Sequence, residues 1–188
     1  MKLILGSILL AFLIGFARGG RLPRLVETRL RAPWLVVAGL FLQVVPLPSS
    51  MGWLPVPLLI GSFVLLMAFV VLNLPKPGFA LILVGVALNF VVIAMNHGMP
   101  VSRHALTSSG QMGTLAALEA GGAKHHLAGP EDTLMSLGDV ISLGSRLHQI
   151  VSVGDVATYG GVMWFVAGSM GRRRRTLGAA PSVVGDPA

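Results

Sequence analysis

"GFALILVGVALNFVVIAM", from Gly78 to Met95, decides the fold. It carries no charge, and its one strongly polar side chain is Asn89. A run of this length lies near the roughly 20 residues that a helix needs to cross a bilayer core. An Asn in the middle of such a run must find its hydrogen bonds inside the protein, across to another helix. Gly85, Asn89, Val92 and Asn96 recur at helical spacing and form one stripe. Asn89 is therefore expected to hold helices together rather than to bind a ligand. Gln43 and Asn73 are weaker cases of the same kind.

Working outward, the apolar character recurs along the chain. Of 188 residues 54% are hydrophobic and only 11% charged, where soluble domains are about a quarter charged. Five apolar runs stand out, over about 3–17, 33–47, 53–74, 78–95 and 151–170. The first two are short for a crossing and need flanking residues or local thinning of the bilayer. With no Cys at all, disulfides, thiolate metal sites and Cys nucleophiles are excluded. Lys and Arg number 14 against 7 acids, but they cluster at the ends of apolar runs. That is the pattern of membrane topology, not of a nucleic-acid-binding face, so no nucleic-acid partner is expected.

Arg18, Arg21, Arg24, Arg29 and Arg31 lie between the first and second runs, Lys76 between the third and fourth, and Arg172–Arg175 after the fifth. Five crossings place all of them on one side. By the positive-inside rule that side is cytoplasmic, which puts the N-terminus outside and the C-terminus inside a multi-pass protein of the cell membrane. A cleaved signal peptide fits the first run loosely, but Arg18 follows at once and the run reads as a span. Leu22, Leu25, Val26 and Leu30 suit either a short amphipathic helix on the inner interface or a plain basic loop. The expected architecture is an all-α polytopic bundle over residues 1–171. One outward loop or cap of about 55 residues, 96–150, is too short for a large core of its own and is expected to pack onto the helix ends or form a cap over them. A basic run and disordered cytoplasmic tail follow over 172–188.

Two five-residue frames recur, Ser136-Leu-Gly-Asp139-Val and Ser152-Val-Gly-Asp155-Val. Ser-x-x-Asp before an apolar run matches a capping box, with Ser136 capping a short helix and Ser152 the fifth span. The alternative concerns depth. Asp155 falls about a turn inside the outer surface, where an acid is costly and is usually paired or functional. Arg103, Arg146 and His148 are its candidate partners. Gly154, Gly161 and Gly168 make one face of the fifth span small, open to close approach by another helix.

All five His, at 97, 104, 125, 126 and 148, fall in the outward segment. No His-Glu-x-x-His and no i, i+4 pair occurs on an obvious helix, and His125-His126 lies in a stretch that reads as flexible. Neither a metal site nor a cofactor is expected. No Gly-x-Ser-x-Gly, phosphate loop or dinucleotide fingerprint is present.

At "MNHGMPVS" (Met95–Ser102) and the two Gly-Asp frames the chain resembles an uncharacterised family of small five-span bacterial membrane proteins, a domain of unknown function. The resemblance runs from Met1 to Gly171 and includes "RGGRLPRL" (Arg18–Leu25) and the fourth span ending in Asn. The family pattern has Asn-Gly-Gly before Met-Pro-Val. Here His97 stands where a Gly is expected and the stretch is shorter, which takes catalytic weight from His97. The resemblance implies the architecture and no activity.

The functional expectation is a non-enzymatic membrane protein that binds a small ligand or partner. Its pocket would lie at the outer helix ends, formed by Asn96, Met99, Pro100, Val101, Ser102, Asp139 and Asp155. The alternatives are an outer-leaflet enzyme acting on a lipid-linked or envelope substrate, or a transporter or channel subunit. The lipid bilayer is the expected partner, with a second membrane protein or another copy of the chain beside it.

Overall fold

The computed structural model describes residues 2–45, 54–122 and 124–171. The Arg172–Arg175 run, the tail to 188 and the chain around 46–53, where the second apolar run ends and the third begins, lie outside them. Five helices form the body: α1 (Lys2–Ala17), α3 (Pro33–Val44), α4 (Pro55–Leu72), α5 (Phe79–Asn96) and α8 (Val153–Met170). A single turn of helix, α2 (Leu22–Val26), follows α1. Among the described residues two helices, α4 and α5, are long and apolar enough to cross a membrane. The helix α8 matches their 18 residues but is less apolar. At 16 and 12 residues, α1 and α3 span only about 24 and 18 Å.

Local sequence sets the ends of these helices. Prolines open α3 and α4 at their first turn, where a missing N–H costs nothing. The link Pro75-Lys76-Pro77 stops α4 from continuing, and Gly78, with φ +81°, turns the chain into α5. Asn73, 1% exposed, closes the end of α4. Its amide donates to the carbonyls of Phe69 (2.8 Å) and Arg31 (2.9 Å), and its oxygen accepts from Arg31 N (2.8 Å). The start of α3 is thereby tied to the end of α4. In the middle of that antiparallel pair Gly39 lies against Ser62 and Leu66.

The largest core joins α3, α4 and α5 through Leu35, Leu59, Phe63, Phe69, Val70, Phe79, Ile82 and Val86. Phe79 sits between Phe69 and Phe165, with ring centroids 5.7 and 5.2 Å away. A second seam, Ala11 with Val166 and Met170, joins α1 to α8. Arg21 N donates to Met170 O (3.0 Å), so α1 and α8 end together. Chain direction thus alternates through α1, α3, α4, α5 and α8, and Arg18, Arg21, Arg24, Arg29, Arg31 and Lys76 gather at one end of the bundle.

The cap covers the opposite end and is not helical throughout, which corrects the all-α expectation to mostly helical. Strand β1 (Met99–Val101) follows α5 directly and pairs in parallel with β2 (His125–Leu127). Between them run α6 (Arg103–Ser108) and α7 (Met112–Glu119). The hairpin β3 (Ile141–Ser142) with β4 (Ile150–Val151) leads into α8. Val101, Leu106 and Leu115 form a small core of the cap's own. Lys124 fastens the cap to α3: its Nζ donates to the carbonyls of Leu42 (3.2 Å), Gln43 (2.7 Å) and Val45 (3.3 Å) at the end of the helix.

Candidate functional site

The cap meets the bundle where α5 and α8 approach most closely. Glycines permit this. A Cβ on Gly154 would lie 2.6 Å from both Asn89 Cγ and Gly85 O, and one on Gly161 would lie 2.6 Å from Ile82 Cγ1. Gly168 rests on Pro77. The small face of the fifth apolar run is therefore occupied within the chain, by α5 and the link before it.

At the top of this seam Asn89 makes the hydrogen bonds that its position demands. Its amide donates to Asp155 Oδ1 (2.8 Å), and its oxygen accepts from Ser152 Oγ (2.8 Å). Ser152 Oγ accepts from Asp155 N (2.9 Å), while Asp155 Oδ2 accepts from Ser152 N (3.2 Å). This is a complete capping box on α8, locked to the neighbouring helix by an asparagine. Arg103 does not reach Asp155; it pairs with Glu119 (2.5 Å).

The other frame behaves differently. Met135–Leu137 is a 3-10 turn headed by Leu134, with no side-chain cap, so Ser136 caps nothing. Gly138 and Asp139 are extended and run alongside β1: Asp139 N donates to Pro100 O and Ser102 N to Asp139 O, both at 3.0 Å. Gly138 is small for the same reason as Gly154, since a Cβ there would lie 2.7 Å from Pro100 O. β1 thus has β2 on one side and Asp139 on the other.

That arrangement brings His125 to Asp139 beside a cavity of about 240 Å³ lined by Val101, Leu106, Gln111, Thr114, His125 and Asp139, among others. His125 Nε2 stands 4.0 Å from Asp139 Oδ2, beyond hydrogen-bond reach. The Asp139 side chain is 17% exposed. Burial, reinforced by the charge of Asp155, pushes its carboxyl up to about 7. His125 is half open to solvent, and the crowding of its other side lowers its pKa, against the pull of Asp155. Nearby, His126 meets Asp132 at 2.8 Å, and Asp132 also accepts from Gly129 N at 2.8 Å. Burial alone would raise the Asp132 carboxyl, but these bonds hold it below its ordinary value.

Of the residues that the sequence singles out for a pocket, Asp139 and Val101 line this cavity. Asn96 instead latches the turn before the 3-10 segment: its amide donates to Val92 O and Thr133 O (both 2.9 Å), and its oxygen accepts from Thr133 N (2.8 Å). Met99 and Pro100 are buried in β1, and Ser102 caps α6 by accepting from Ala105 N (3.3 Å). Asp155 turns toward Asn89. Sequence reasoning passes over Gln111 and Thr114 and sets His125 aside in a stretch that reads as flexible but forms β2, because only the pairing of two short strands far apart in sequence brings His125 to Asp139. Among the described residues no group of three or more His, Cys, Asp and Glu stands together as a metal site.

No curated protein and no solved structure matches the chain. The model of DUF5317, a family of unknown function, matches residues 27–167, a span that holds α3, α4, α5, the whole cap and most of α8. The chain belongs to the DUF5317 family.

Proposed function

We propose that this protein crosses the membrane five times and binds a small ligand in the cavity of its outward cap, with Asp139 as the recognising group. The Asp139 side chain, only 17% exposed and lining the cavity, is the observation that carries the reading. Placing an acid there is costly unless something compensates it. A ligand bearing an amine or another strong donor supplies that compensation. The cavity lies below the roughly 300–1,000 Å³ of drug-sized sites, so the ligand is small.

Two observations support the membrane arrangement. The helices alternate in direction with the arginines at one end, which the positive-inside rule makes cytoplasmic, so the N-terminus is outside and the cap extracytoplasmic. The outer faces of the short helices are apolar too: Leu9, Leu13, Trp34, Val37 and Phe41 are each at least 58% exposed. In water this would be a large unpartnered apolar surface. In a bilayer it is the natural one.

A second reading, an outer-leaflet enzyme with Asp139 as general base, is favoured by a carboxyl that titrates near neutral pH. The two readings separate on turnover: a ligand consumed in the presence of wild type but not of Asp139→Asn is a substrate.

The test has two parts. Val26→Cys and Met112→Cys, both at exposed positions at opposite ends, are labelled in intact cells with an impermeant thiol reagent. Labelling at 112 alone is expected, and labelling at 26 from outside overturns the orientation. Purified protein is then melted with a panel of small amines at pH 6 and pH 8. A cation favours the charged carboxylate, so stabilisation should grow as pH rises through about 7 and vanish in Asp139→Asn. If no amine stabilises the wild type at either pH, the ligand class is wrong.

A further inference from the structure

At the arginine-rich end a cavity of about 600 Å³ opens between the α2–α3 link, the α4–α5 link and the end of α8. Arg24, Arg29 and Lys76 line it, with Glu27 as the acid among its lining residues. Three cations against one acid leave the cavity positive. Arg24 Nη1 is buried and has no hydrogen-bond partner among the described residues. A buried guanidinium donor without an acceptor loses its hydration and gets nothing back, so such groups are nearly always paired.

The surroundings are built rather than incidental. The Arg24 turn is held by Thr28 Oγ1 donating to Arg24 O (3.0 Å) and by Glu27 N donating to Pro23 O (2.9 Å). Lys76 sits on a tight link, its N–H donating to Asn73 O (2.9 Å). On the third wall Gly168 and Gly171 carry no side chains and leave the space open. With three basic side chains against one acid among the described residues that line it, the cavity suits a ligand of negative charge. A planar guanidinium fork flanked by two more cations matches a phosphate better than a halide or a single carboxylate.

The geometry points to a phosphate-binding site formed by Arg24, Arg29 and Lys76, in which Arg24 Nη1 donates to a phosphate oxygen. The phosphate comes either from an anionic lipid headgroup or free from solution. Exposed Val26 (84%), next in sequence to the lining residue Glu27, sets apolar surface beside the cavity, as an acyl chain below a headgroup requires.

The test uses the full chain, delipidated in neutral detergent and melted against dioleoyl-phosphatidylglycerol, dioleoyl-phosphatidylcholine and inorganic phosphate. A rise in melting temperature with phosphatidylglycerol beyond that with phosphatidylcholine, with inorganic phosphate weak, identifies the headgroup as the source. A rise saturated by inorganic phosphate, to which lipid adds nothing, identifies free phosphate. In either case Arg24→Gln should weaken the apparent affinity by about tenfold, the loss of one charge-assisted hydrogen bond. Lys76→Gln, outside any helix, gives the same reading if Arg24→Gln does not fold. Arg103→Gln, at the other end, should titrate like wild type. The site is overturned if neither probe shifts the wild type, if both cavity variants titrate like it, or if Arg103→Gln loses as much as they do.

Discussion

In the frame Ser152–Val156 the serine is fully buried, its acid folds back onto it, and both bond to Asn89 on a neighbouring helix. In the frame Ser136–Val140 the serine is exposed, the acid stands in extended chain, and its carboxylate faces a cavity. Five residues of nearly the same kind thus serve two ends. The chain downstream of each frame decides between them. Ala157 to Met170 continue as helix after the second, so the box has backbone N–H groups to cap. The first leads into a two-residue strand and a turn, so it has none. The glycine is the common part, because in both places a backbone passes too close for a Cβ.

The sharpest way to break this comparison is Gly154→Val. The added side chain would meet Asn89 and the backbone of Gly85, and the α5–α8 seam should lose at least about 3 kcal/mol by overpacking. Thermal unfolding in detergent reads it, and wild-type stability would mean that the close seam is not as described. Next is Asp155→Ala. It strands the Asn89 amide and the Ser152 N–H, for a loss of about 2–3 kcal/mol. Asp155→Asn keeps an acceptor oxygen and should recover part of that loss.

The acid of the other frame should respond in the opposite sense. Unfolded, Asp139 loses its proton near 3.8; folded, it keeps it up to about 7. Below about pH 4 both forms are protonated and the site carries no charge penalty. As pH rises from about 4 to about 7 only the unfolded chain releases the proton, so the folded state loses ground, and above about 7 the penalty is complete. Asp139→Asn should therefore flatten the stability profile across that window and gain about 1–2 kcal/mol at pH 8, less than the full shift implies because the carboxyl keeps some contact with solvent. An unchanged slope would show that Asp139 is hydrated. The smallest effect is expected at Ser136→Ala, within about 0.5 kcal/mol, where the same change at Ser152 should cost about 1–2 kcal/mol. Equal losses at the two serines would mean that both frames cap helices.

Much of the bundle was legible because its signals are local. Asn89 in an apolar run and glycines repeating down α8 each constrain their own turn of chain and announce a packed helix without knowledge of the partner. The cap was largely illegible. The stretch "KHHL" gives no sign of pairing with "MPV", since a three-residue strand carries little pattern and its partner lies 26 residues away in sequence, Met99 opposite His125. The number of crossings sits between the two. The charge pattern argues for five, while length and apolarity alone single out α4 and α5.

By itself, then, the sequence determined the apolar helices, the residues through which they touch, the end at which the arginines collect and the family to which the chain belongs, because periodicity and composition are properties of neighbours along the chain. Only the tertiary structure decided that Asp155 is a helix cap held by Asn89, that Asp139 shares a cavity with His125, and that Arg24 Nη1 is buried without a hydrogen-bond partner among the described residues, in a cavity that Arg29 and Lys76 also line. Each of those depends on which segments lie side by side. Contacts between distant segments follow from packing the whole core at once, and no short stretch encodes them.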